Sequence, residues 1–101
     1  MPEAEDKTED SKEADRVFKI AESGQIDDVY FNGFANGLSH GDVRIVLTLN
    51  GQPNLSLNCS YTVAKTLALK LAVIVQTLEN VTGTQILTTE DVARALQSKK
   101  V

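Results

Sequence analysis

Asn50-Gly51 lies between two runs that alternate apolar and polar residues, and this pair constrains the fold more than any other feature of the chain. Both central positions of a type I′ turn need φ above zero, which Asn and Gly tolerate, so the pair predicts a two-residue β-hairpin. The run before it, DVRIVLTLN, places Val43, Ile45, Leu47 and Leu49 on one face and Asp42, Arg44, Val46 and Thr48 on the other. The run after it, PNLSLNCS, sets Leu55, Leu57 and Cys59 against Asn54, Ser56 and Asn58. Pro53 at its start and three polar residues on one face mark an edge strand.

Residues 28–38, DVYFNGFANGL, read as a further strand, joined to the hairpin by the Ser39-His40-Gly41 turn. Alternation assigns Val29, Phe31, Gly33, Ala35 and Gly37 to an inward face, and Tyr30, Asn32, Phe34, Asn36 and Leu38 to an outward one. The glycines at 33, 37 and 41 fit neither a dinucleotide fingerprint nor a phosphate loop, because the spacing is wrong, no Lys follows and no helix begins there. They read instead as a small-residue stripe into which a helix sinks, with Ala64, Ala68 and Ala72 as the matching ridge. Further upstream, RVFKIAES at 16–23 is β-favourable through Val17, Phe18 and Ile20 and reads as a short additional strand.

A long helix is expected over 62–80. Ser60 or Thr62 caps its start and Gly83 stands where a terminator belongs. Ala64, Leu67, Ala68, Leu71, Val75 and Leu78 form one stripe at helical spacing. Leu69, Val73 and Ile74 widen the apolar arc beyond what one sheet face requires, which implies a second neighbour. The segment ILTTEDVARALQSKK reads as a short helix, with Thr88 or Thr89 as cap, Glu90 and Asp91 in the first turn and Lys99 and Lys100 at the end. The expected fold is α+β: a three-stranded antiparallel meander, four-stranded if 16–23 joins it, with one long helix packed on one face and a short C-terminal helix. Three regions follow: a disordered acidic tail at 1–15, a meander-plus-helix domain at 16–86, and the C-terminal helix at 87–101.

Charge separates the tail from the body. Residues 1–15 hold seven carboxylates against Lys7 and Lys12, a net −5, while residues 16–101 hold eight cations and seven carboxylates, a net +1. A near-neutral body lacks the basic stripe that nucleic-acid binding needs, so no nucleic-acid partner is expected. The acidic start lacks the pattern of a secretory signal, and the longest apolar-rich stretch, 67–75, is nine residues and contains Lys70. No membrane partner is expected. A single Cys59 fits a reducing compartment, and the sequons at Asn58 and Asn80 read as coincidental, so the chain is expected to be cytoplasmic.

Chemistry is sparse. A meander brings His40, Asp42 and Cys59 toward one sheet edge, a pattern that could activate a thiol. Cys59, however, shares parity with Leu55 and Leu57, and buried cysteines are inert. One His, one Cys and one Asp fall short of the four ligands of a structural zinc site. No enzyme activity, cofactor or metal is therefore expected. The outward residues Tyr30, Asn32, Phe34, Asn36, Leu38, Arg44 and Val46 mix aromatic anchors with short hydrogen-bonding groups, as partner surfaces do. With no Trp and five aromatics, a body this small is marginal alone, and oligomerisation is the simplest supplement. The expectation is a non-enzymatic binding or assembly protein, a homodimer or higher oligomer or the binder of a protein partner. The alternative is a small-ligand or nucleotide-binding regulator that uses the outward sheet face.

Tyr30, Asn32 and Gly33, then Asp42 and Arg44, then Ala64, Lys65 and Leu67, together with the Leu78–Gly83 helix end, resemble a small bacterial and archaeal domain-of-unknown-function family. Its members share an aromatic-x-Asn first strand, an Asp-containing turn and an Ala-Lys-x-Leu helix. The resemblance spans residues 27–83. It implies the strand-strand-strand-helix order and carries over no catalytic or binding residue.

Overall fold

A computed structural model describes residues 9–98 of the chain. The elements are α1 (Glu9–Glu22), β1 (Gly33–Ser39), β2 (Asp42–Leu49), β3 (Gln52–Ser60), α2 (Tyr61–Thr82) and α3 (Thr89–Ser98). The strands form one antiparallel sheet in the order β1-β2-β3, so the α+β meander with a long helix and a short C-terminal helix is observed, and β3 is an edge strand.

Residues 16–23 are not a fourth strand; 16–22 are the second half of α1. The β-propensity of Val17, Phe18 and Ile20 loses to helical spacing, since Val17, Phe18, Ile20 and Ala21 lie on one side of a helix half of whose residues are Glu, Lys or Ala. Arg16 closes a 2.7 Å ion pair with Glu13 one turn back, and its hydrogen bond holds the Glu13 carboxyl below the ordinary value. The helix ends at Ser23, whose hydroxyl donates to Ile20 O at 2.6 Å, and Gly24 follows at φ 84°. The tail expected at 1–15 therefore contributes 9–15 to a helix; residues 1–8 lie outside the described residues.

β1 is shorter than the expected 28–38. It starts at Gly33, just after Asn32 turns to a different task. The Asn32 amide Nδ2 donates to Asn50 Oδ1, and its Oδ1 accepts from Asn50 N, both at 2.9 Å. Asn32 N also donates to Thr48 O at 3.1 Å. Asn32 thus clamps the β2–β3 turn, where Asn50 and Gly51 adopt φ 53° and 84° as a type I′ turn requires.

Both hairpin loops are two residues long, His40-Gly41 and Asn50-Gly51, and loop length fixes register. Ser39 then pairs with Asp42, and counting back puts Gly33 opposite Thr48. A Cβ built on Gly33 would lie 2.6 Å from Thr48 Oγ1, as a cross-strand pair on one face demands. At Gly37 the expected close approach of a helix is not observed. Nothing lies within 4 Å of a Cβ on Gly37, and Gly33 accommodates the Thr48 hydroxyl. Gly33→Ala is accordingly expected to cost about 1–3 kcal/mol by crowding. Urea titration of the double variant with Thr48→Ala should recover much of that loss; strictly additive losses would count against Thr48 as the obstacle.

The chain divides into two compact units. One combines the residues up to Ala35 with Val46–Leu55, and so holds α1, the start of β1 and the Asn50-Gly51 hairpin. Its centre is Leu47, which at 6 % exposure is the buried hydrophobic residue of the described chain. The other combines Asn36–Ile45 with the residues from Ser56 onward, and holds the His40-Gly41 hairpin, the end of β3, α2 and α3. There β3 runs straight into α2 through Ser60, whose Oγ accepts from Val63 N at 3.2 Å. The Tyr61 hydroxyl donates to Ser39 O at 3.0 Å and anchors the helix start to the end of β1. Gly83, at φ 68°, closes α2 with a 2.9 Å bond from its N–H to Glu79 O.

Thr88 and Asp91 cap α3 reciprocally: Asp91 N donates to Thr88 Oγ1, and Thr88 N donates to Asp91 Oδ2, each at 3.1 Å. The bond from Thr88 N holds the Asp91 carboxyl below its usual range, with the Thr88 side chain and then Arg94, at 2.6 Å, acting in the same direction. The α2–α3 connection is tied by Ile86 N, which donates to Glu79 Oε2 at 2.8 Å.

Candidate interaction surface

Register divides the seven residues expected to share an outward face. In the first unit, Phe34 stands opposite Leu47 and shares its face, while Val46 lies on the reverse face with Ala35 and Leu55. Tyr30 and Asn32 precede the strand: Tyr30 is 77 % exposed, and the Asn32 side chain is occupied by the Asn50 turn. In the second unit, Asn36 and Leu38 share a face with Val43, Ile45, Ser56 and Asn58, whereas Arg44 falls on the reverse with Gly37 and Leu57. Phe34 and Leu38 are exposed, but Arg44 and Val46 do not join them. Matching each strand by its own apolar parity missed this. The signal that reveals it is the pair of two-residue loops, because they leave no freedom to slide one strand against the next.

The thiol constellation is placed but not assembled. Register sets Asp42 opposite Cys59, and Cys59 is free and half-buried. His40 lies in the adjoining turn. Among the described residues no group of three His, Cys, Asp or Glu side chains is gathered in a way that could hold a metal ion.

The largest unsatisfied feature is α2. Its ten large apolar residues, from Tyr61 to Val81, are all at least 41 % exposed, and no residue of the helix is buried. Leu67 and Leu71, expected to face the sheet, are exposed along with Leu69, Val73 and Ile74, expected to face a neighbour. The polar side chains do not compensate. Thr66 and Thr77 turn back to bond Thr62 O and Val73 O, at 3.1 and 2.8 Å. A helix apolar over so wide an arc is stable in water only when something covers it.

By length and composition α2 could also cross a bilayer, and none of it is buried. Counting the longest apolar-rich stretch stops at the nine residues 67–75 and misses this, because the helix continues beyond both ends of that stretch. At 22 residues it spans about 33 Å. Lys70, though, stands at its middle, where translocon scales assign a cost of about 2.5–3.5 kcal/mol, and Lys65, Gln76 and Glu79 lie within the same span.

No family model, no curated protein and no solved structure matches this chain.

Proposed function

We propose that this chain is a non-enzymatic assembly protein that acts by self-association or by binding a protein partner. The observation that carries this reading is the exposed α2 helix, attached through Ser60 to the sheet and closed at both ends by caps. Its caps complete its two ends, and its exposed apolar sides are the surface that a partner would cover. Fully burying one Leu, Ile or Val side chain is worth about 1.5–3 kcal/mol and association itself costs roughly 4–15 kcal/mol, so micromolar association requires covering most of the ten. The resemblance to a domain-of-unknown-function family adds the element order and no activity to this reading.

Sedimentation equilibrium of the full chain from about 1 to 100 μM, a range where interfaces of ordinary size associate, is the direct test. A dimer or larger species is expected throughout. A monomer at every concentration, with no protein captured, sinks the proposal.

A further inference from the structure

We infer that α2 is the seam of a homodimer and that it pairs with α2 of a second copy in the antiparallel sense; this rests on the association reading above. Two observations select a second copy as the occupant.

The first is the spacing along the helix. Ala64, Leu67, Leu71, Ile74, Leu78 and Val81 follow one another at intervals of three, four, three, four and three. That is an a/d heptad seam, and it runs the full length of a 22-residue helix. The seam is also symmetric about a point between Leu71 and Ile74. Reversing a second copy about that point sets Leu71 against Ile74, Leu67 against Leu78 and Ala64 against Val81. A two-fold interface requires this property, in which residue i meets j and j meets i. The volumes agree with the antiparallel sense, since the small Ala64 meets Val81. A parallel pair would stack Ala64 on itself and leave a thin layer at one end.

The second observation is exposure. Obligate dimers bury roughly 1,000–2,500 Å² per protomer, most of it apolar at the seam. Five of the six seam residues are between 41 and 79 % exposed and so are available to supply such an interface. Lys70 and Thr77 flank the seam, where the lysine stem can cover apolar surface while its ammonium stays in water.

The test is cysteine cross-linking in the full chain with Cys59→Ser. One preparation carries Leu67→Cys and another Leu78→Cys; they are mixed, exchanged and oxidised with oxidised glutathione. The antiparallel pair predicts the mixed disulfide over either homodisulfide by roughly tenfold, because only facing positions come within the 4.4–6.8 Å that a disulfide needs between Cα atoms. Ala64→Cys with Val81→Cys repeats the test at the helix ends, where neither change opens a large cavity. Homodisulfides at each position would overturn the antiparallel arrangement. A dimer by sedimentation that cross-links at neither pair would remove α2 as the seam yet leave self-association standing, whereas a monomer removes both. Flotation of the chain with phosphatidylcholine vesicles, with α2 protected from protease only when lipid is present, would show that the helix is covered by a bilayer and overturn the proposal.

Discussion

Leu47→Ala is expected to lower stability by about 2–5 kcal/mol, enough to leave a substantial fraction of the chain unfolded at room temperature. The magnitude follows from position. Leu47 lies in the central strand, with β1 and β3 on either side, and is 6 % exposed where its strand neighbours are only half-buried. Deleting its branched end removes transfer energy and leaves a cavity that flanking strands, pinned by two-residue loops, cannot close. Leu38→Ala is the control. Leu38 is 80 % exposed at the end of an edge strand, and a change of about 0.5 kcal/mol or less is expected there. Urea unfolding followed by far-ultraviolet circular dichroism reads both. Equal midpoints for the two variants would show that the centre of the sheet is not what Leu47 makes of it.

The contrast between those two leucines shows what was legible in the sequence. Alternation and the Asn-Gly turn located β2, β3 and the hairpin between them, because these signals are local: φ at Asn50 and Gly51, and side chains that alternate by covalent geometry. The caps of α2 were legible for the same reason. Two of the misreadings depend on which of two acceptable local states wins. Residues 16–23 suit a strand by composition but become helical because the acidic residues before them extend the helix to 14 residues. The faces of β1 and β2 each looked self-consistent, and only the two-residue His40-Gly41 loop decides that Phe34 joins Leu47 rather than Val46. Asn32 was counted as a binding residue, while its amide in fact clamps a turn eighteen residues away. Nothing in a single sequence points to such a bond, since it depends on where the chain goes after it has folded. The surplus apolar arc of α2 was visible from the start, and the structure widens its meaning. The helix needs covering on the side assigned to the sheet as well as on the side assigned to a neighbour.

If covering α2 is part of folding, the melting temperature of the parent chain must depend on its concentration, and Leu71→Glu must abolish that dependence. The first half is mass action. When the native species is a dimer and the unfolded species a monomer, a hundredfold dilution removes about 2.7 kcal/mol per dimer, or about 1.4 kcal/mol per chain. For a domain of this size that corresponds to a fall of about 5–10 °C. The second half follows from place. Leu71 lies next to the symmetry point of the heptad seam and is half-exposed in the single chain, so a carboxylate there meets water in the monomer and hydrocarbon in the dimer. Two such carboxylates enter each dimer, one from each copy, and a rise of at least about a hundredfold in the dissociation constant is expected. Leu71→Met, which keeps volume and polarity, should behave as the parent does. Circular dichroism melts at about 1 and 100 μM separate the outcomes over the concentration range that matters for ordinary interfaces. Superimposable parent curves would show that folding and association are not linked. A concentration-dependent melt retained in Leu71→Glu would mean that the linkage runs through a surface other than α2.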